Sequence, residues 1–231
     1  MIGSLLFGLG GLKWSVPILV FFFSSSFLSK LHKNKNIGTE EYLEKNSTRD
    51  FMQVLANGGL SAVFVCAYNF YHNENFYLMY LASLSVVCSD TWATEIGTLK
   101  INKTYNILNF KTVKQGTSGG VSFNGTIGAI FGAILISISG MAFNDLPFIH
   151  YFILIISCGI FGNFTDSLLG ASFQVLYKCV MCGIITEKKF HCGFRTIRHK
   201  GIQFINNDMI NFISALTGAL MLLIFKTMLI S

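Results

Sequence analysis

The sequence predicts an all-α fold, a polytopic integral membrane helical bundle of about six transmembrane helices, and three observations carry that expectation. Apolar residues make up 52% of the chain and charged residues only 12%, the latter about half the ~25% usual in soluble domains. Apolar runs close to the ~20 residues that cross a bilayer recur from end to end. The segments between those runs alternate between strongly basic and lacking Lys and Arg altogether. With a mean hydropathy of +0.56, one transmembrane domain over residues 1–231 is expected.

The elements follow in order. The opening "MIGSLLFGLGG" is too short to cross a bilayer alone and has neither a basic n-region nor a clean cleavage site, so it reads as the lead-in to the first helix rather than as a signal peptide. Spans are expected at Trp14 to Leu31, Val54 to Tyr71, Phe76 to Thr94, Val121 to Phe143, Pro147 to Ala171 and Ile210 to Ile230. Lys30, Lys33, Lys35, Lys45 and Arg49 follow the first span; Lys100, Lys103, Lys111 and Lys114 follow the third; Lys178, Lys188, Lys189, Arg195, Arg198 and Lys200 follow the fifth. The other two connections, "HNEN" and "ND", carry no basic residue. Basic loops stay in the cytoplasm, so the three basic loops are expected inside and both termini outside. The net charge of +6 then reflects topology and attraction to anionic headgroups or phosphates; nothing in it calls for nucleic acid.

Polar residues interrupt the apolar runs near one membrane face. At about 100° per residue, Asp90, Thr91, Thr94 and Glu95 of "SDTWATEIGT" share a sector opposite Trp92, Ala93 and Ile96. The fifth span ends at the same face with "GNFTDSLLGAS", where Gly159, Asn163, Asp166, Ser167 and Gly170 form a stripe. The second span begins there with Gln53, Asn57, Gly58 and Gly59, the fourth with "QGTSGGVSFNGT", and the sixth with "NNDMIN", which supplies Asn206, Asn207, Asp208 and Asn211. Ionisable groups at membrane depth are costly and mark a site by default. The competing reading for Asp90, Asp166 and Glu95 is a helix cap or an ion pair with a loop lysine. Gly125, Gly128 and Gly132 are expected to permit close helix packing. "GTSGG", Gly116 to Gly120, leads from a basic loop into a helix and suits a phosphate through its amide groups, although no Walker motif follows. A faint echo between "NGGLSAVF" and "SGGVSFNG" leaves open a duplicated helix pair or coincidence.

Together, "RDFMQVLANGGLSAV", "ASLSVVCSDTWATEIGTL", "GTSGGVSFNGTIGA", "GNFTDSLLGASFQ" and "NNDMINFISALTGAL" resemble, in order and over nearly the whole chain, the motif series of a family of multispanning membrane proteins. It is the family that contains transmembrane protein 19 and the chloroplast phytyl-phosphate kinase. The resemblance implies a kinase-like activity in which an isoprenoid (phytyl or prenyl) monophosphate accepts a phosphoryl group from a nucleoside triphosphate at the cytoplasmic membrane face. Such chemistry calls for carboxylate-held Mg²⁺, backbone amides and cationic side chains around the phosphates. On that basis Asp90 and Asp166 are assigned to Mg²⁺ and, with Glu95, to catalysis. Gly116, Thr117, Ser118, Gly119 and Gly120 are assigned to the phosphates, and Lys111 and Lys114 to their charge. Asn57, Gly58, Thr91, Thr94, Asn163, Ser167 and Asn207 complete the expected substrate contacts.

The loop 178–200 poses a separate question. "CVMCGIITEKKFHC" offers Cys179, Cys182, His191 and Cys192, a set that suits Zn²⁺ as a structural knuckle; the competing reading is free thiols in a short loop. Cys66, Cys88 and Cys158 lie within spans and read as packing residues. Two other classes remain open. A transporter calls for polar groups near the bilayer midplane, where this sequence is nearly all apolar. A noncatalytic membrane protein of the same family leaves the aligned Asp, Asn and Gly residues unused.

Overall fold

The computed structural model describes residues 2–33, 51–144 and 146–230; Lys35, Lys45 and Arg49 lie outside them. The described chain forms six long helices: α1 (Ile2–Lys33), α2 (Phe51–Tyr71), α3 (Asn75–Thr98), α4 (Phe123–Met141), α5 (Phe148–Ser172) and α6 (Asn207–Ile230). Five of them, all but α3, are long and apolar enough to cross a membrane. The polar residues of α3 are tolerated because α3 is the hub: it packs against all five other helices. Every residue from Tyr77 to Ser89 is buried, so the serines of that stretch are presented to protein rather than to lipid, while Asp90 and Glu95 beyond it are half-buried.

Helix α1 is two limbs. Gly11 has φ 63° and ψ −153°, which is not helical, and its lack of a Cβ makes that conformation inexpensive. In a straight helix Ile2 and Ile18 would be about 24 Å apart at 1.5 Å per residue. Both instead lie within 4 Å of where a Cβ on Gly58 would sit, so the Ile2–Gly10 limb doubles back beside α2. Asn69 of α2 secures the bend by donating to the Leu9 carbonyl (3.1 Å). The opening segment expected as a lead-in is therefore a short limb that does not span.

At this end of the bundle Trp14 stacks on Tyr80 (4.8 Å between ring centres) and meets Tyr77 edge-on. Lys13 pairs with Glu74 at 2.8 Å and lies over the Tyr77 ring. Lys226 reaches Asn75 and the Tyr151 ring. Two lysines thus sit at the end whose loops are not basic. Each is held by a carboxylate, an amide or an aromatic face, which offsets its charge.

The α3–α4 seam brings backbone against backbone. A Cβ on Gly125, Gly128 or Gly132 would lie 3.1, 2.6 and 2.8 Å from the carbonyl oxygens of Ala93, Trp92 and Cys88, and one on Gly140 would overlap Leu81. Without side chains on that face the two backbones touch, as the sequence led us to expect of Gly125, Gly128 and Gly132.

The two described basic loops fold into small sheets. Strands β1 (Thr104–Asn106), β2 (Thr112–Val113) and β3 (Gly120–Ser122) form an antiparallel sheet in the order β2-β1-β3. After α5, β4 (Leu176–Lys178), β5 (Ile185–Thr186) and β8 (Ile197–Lys200) form a second, and β6 (Phe190–His191) with β7 (Phe194–Arg195) form a hairpin. The echo noted in the sequence is not matched in structure. Asn57–Phe64 lies wholly within α2, whereas Ser118–Gly125 comprises a turn, β3 and the start of α4.

Candidate active site at the basic-loop end of the bundle

Helices α3 and α5 run side by side in the same direction. Gly159 lies on Ser85 and Gly162 on Val86; four residues further along each helix, Asp166 comes level with Asp90. Val86 also lies against Gly218 of α6, and Asp90 is the next residue in the i, i+4 row from Val86. That row points Asp90 toward the α5–α6 groove. From the opposite direction α6 brings Asn211, two turns before Gly218.

Asn211 is buried, and its amide has two candidate orientations. In one, its nitrogen donates to Asp166 Oδ2 at 3.1 Å and to the Asn207 carbonyl at 3.2 Å. In the other, it donates to Asn57 Oδ1 at 3.5 Å. The former is preferred, because a bond to a carboxylate is shorter and about twice as strong as one between neutral groups. Either way, α2, α3, α5 and α6 bring Asn57, Asp90, Asp166 and Asn211 to one level. Asn206 orders the entry to α6 by accepting from the Met209 amide at 3.0 Å, the bond of an N-cap. Buried hydroxyls of Ser89 and Ser214 near this level have no protein partner among the described residues.

Of the other residues singled out in the sequence, Glu95 departs from the pair. It accepts a hydrogen bond from Ser29 of α1, so it serves the α1 side of α3. Glu95→Gln keeps an acceptor for Ser29 and is expected to leave the α1–α3 contact, and with it the melting temperature in detergent, unchanged. Thr91, Thr94, Asn163 and Ser167 are half-buried beside the aspartates on α3 and α5. Gly58 is a packing residue under Ile2 and Ile18.

The "GTSGG" turn is held from within. The Thr117 amide donates to the Lys114 carbonyl (3.1 Å) and the Gly120 amide to the Thr117 carbonyl (2.9 Å). Gly119, at φ +73°, rests on Ala171 at the end of α5, where a Cβ would be 2.4 Å from that of Ala171. The turn does not itself begin a helix: β3 intervenes, and Ser122 caps α4 by accepting from the Gly125 amide at 3.2 Å. Gly116 to Gly120 thus form an elbow between the first sheet and α5. Lys111 and Lys114 flank β2 and are exposed.

A different set of cations adjoins the entry to α6. Tyr177, Lys189, Arg195, Arg198, Gln203 and Phe204 line a cavity of about 360 Å³. A second cavity of about 220 Å³ shares Tyr177, Lys189, Gln203 and Phe204 and extends to Asn206 and Asn207. Buried Gln174 ties this loop to the "GTSGG" elbow by donating to Glu187 Oε1 (2.6 Å) and accepting from Ser118. In the sequence Lys189, Arg195 and Arg198 stand out only as basic-loop residues, and Gln174 only as the end of the motif "GNFTDSLLGASFQ". No local pattern marks residues whose relation is created by two loops meeting.

In the same loop the ligand atoms of Cys179, Cys182, His191 and Cys192 all lie within 4.8 Å of one another. The backbone amide of Cys182, ahead of that of Met181, draws the Cys179 thiol down to about 6, while the neighbouring Cys182 sulfur pushes Cys192 up to about 11.

Fold and site define a polytopic helical membrane protein that gathers carboxylates and carboxamides at one end of its bundle. The chain belongs to the integral membrane protein family DUF92, whose profile matches residues 1–219, in keeping with the resemblance carried by the sequence motifs. An uncharacterized membrane protein of Methanocaldococcus jannaschii is 29% identical over 236 residues, covering 99% of this chain and 83% of its own length. Protein PGR of Arabidopsis thaliana is 25% identical over 230 residues, covering 89% and 79% respectively. The chloroplastic protein VTE6 of the same plant is 24% identical over 154 residues, 67% of this chain and 39% of its own. No solved structure matches the chain.

Proposed function

We propose that the chain is a membrane-embedded isoprenoid monophosphate kinase, transferring a phosphoryl group from a nucleoside triphosphate to a prenyl or phytyl monophosphate at the cytoplasmic membrane face. The observation that carries this reading is the meeting of Asp166, Asn211 and Asn57 from three helices, one helical turn beyond the Val86 contacts that bring Asp90 of α3 level with them, at the end of the bundle that also bears a basic cavity. A prenyl phosphate has a tail that belongs in lipid and a head that belongs at the interface, and a nucleotide arrives from water. A site at this depth meets both.

The donor set is of hard oxygens, two carboxylates with neighbouring carboxamides, which fits Mg²⁺ rather than a softer ion. When bound, Mg²⁺ would neutralise phosphate charge between donor and acceptor. The protein's own groups do the rest. Asn211 fixes the rotamer of Asp166, and Asn57 lies beside Asn211. Lys189, Arg195 and Arg198 meet the donor's phosphates, with the Tyr177 ring as a face for the base. The test is purified protein in detergent with labelled nucleotide and a panel of prenyl monophosphates. Diphosphate product dependent on Mg²⁺ supports the reading, and no transfer to any chain length refutes it.

The orientation belongs to the same reading, since the nucleotide must reach the basic loops. A cysteine at Leu108 should react with an impermeant maleimide only from the cytoplasmic side, and one at Asn73 only from the other; both positions are exposed. Labelling of residue 73 itself from the cytoplasm, told apart by peptide mapping from the exposed native Cys182 and Cys192, would invert the bundle and remove the site from its nucleotide supply.

A further inference from the structure

The loop 178–200 lacks the means to hold itself together by apolar burial. Val180, Met181, Phe190, Phe194 and Ile197 are each more than half exposed, and its strands are two to four residues long. A segment this small and this open is ordinarily stapled by a disulfide or a metal. Among its cysteines none is bonded to another.

The two tips of the loop converge on one point. In the first, the Cys179 amide donates to the Ile184 carbonyl (2.9 Å) and the Gly183 amide to the Cys179 carbonyl (3.1 Å), wrapping the backbone around the Cys179 sulfur. In the second, Cys192 (φ 52°) and Gly193 (φ 79°) turn the β6–β7 hairpin. Left-handed backbone is unfavourable for a residue with a side chain, and here it places Cys192 Sγ 3.2 Å from His191 Nδ1. Cys182 Sγ lies 3.5 Å from the same nitrogen. Around a tetrahedral zinc with bonds of about 2.0–2.3 Å, ligand atoms stand about 3.5–3.8 Å apart. A set already within 4.8 Å needs only a small adjustment, the wider pairs closing and the 3.2 Å pair opening slightly, to surround such an ion.

We propose that Cys179, Cys182, His191 and Cys192 bind one structural Zn²⁺ that joins the tips of the β4–β5 and β6–β7 hairpins and thereby fixes the basic wall formed by Tyr177, Lys189, Arg195 and Arg198. Three thiolates and an imidazole form a closed set with no open position, so the ion builds the loop and takes no part in chemistry. The ligands sit at hairpin tips, while the cavity residues come from β4, β7, β8 and the turns beside them. Loss of the ion would release that wall without touching Asp90 or Asp166.

The experiment measures metal content of the full-length protein purified in detergent without chelator, by mass spectrometry, and repeats it for Cys182→Ser and Cys192→Ser. About one zinc per chain is expected, falling at least tenfold in both variants and unchanged in Cys66→Ser. Cobalt exchange should give the visible bands of a tetrahedral thiolate site. Limited proteolysis should then cut the loop in the two variants, while helix content by circular dichroism stays as in the parent chain. Parent protein carrying no zinc, or iron in its place, overturns the proposal, as does retention of full zinc by both variants. Metal content is independent of turnover, so the result stands whether or not the kinase reading holds.

Discussion

Asp166→Asn is expected to reduce phosphoryl transfer by about 10²-fold or more while leaving the bundle folded, and Asp90→Asn to do the same. The size follows from what mutagenesis finds when one electrostatic contact to a developing charge is removed from a water-poor site. Here the lost group would also be a metal ligand. The fold should survive because asparagine keeps the shape and one acceptor oxygen, so Asn211 retains a partner at the position of Asp166 Oδ2. Removing a partly buried charge relieves desolvation, so the melting temperature in detergent should be equal or slightly higher. Rates at several Mg²⁺ concentrations beside thermal melts separate the outcomes. Full activity in both variants ends the metal-site reading. Loss of activity with loss of fold makes the aspartates structural.

The second large effect is on stability. Gly128→Val and Gly132→Val place a branched side chain where a Cβ alone would be 2.6 and 2.8 Å from backbone oxygens of α3. Backbone cannot rotate away as a side-chain tip can, so the helices must part. Overpacking of a tight contact costs about 1–3 kcal/mol, and α3 carries contacts to every other helix, which spreads the displacement. Each variant should lower the melting temperature or fail to accumulate as a monodisperse species. Gly59→Ala is the control: a Cβ there meets nothing within 4 Å, and alanine favours helix by about 0.5–1 kcal/mol. Equal stability of Gly132→Val and the parent chain would mean the α3–α4 seam is looser than described.

The helices were legible because each is long and its composition is one-sided over many residues. Even the α3–α4 glycines announced close packing by their spacing. The strands were not legible: pieces such as Thr112–Val113 and Phe190–His191 are two residues long and carry no period. The doubling of α1 was hidden as well, since Gly10 and Gly11 in an apolar run read equally well as a lead-in.

The site divides in the same way. Asp90 and Asp166 stood out because charge at membrane depth is costly wherever the fold puts it, and the cysteines because ligand chemistry is written in residue type. Composition and loop charge alone therefore determined a multispanning helical membrane protein and the end of it where polar residues gather. Only the tertiary structure decided which of those residues meet. Asn211 reaches Asp166 across two helices, Glu95 turns away to Ser29, and Lys189 rather than Lys111 shares a cavity with Asn207. Depth along a helix is a property of the chain, but azimuth matters only relative to a neighbour, and neighbours are chosen by packing: here, by glycines that let α4, α5 and α6 close on α3.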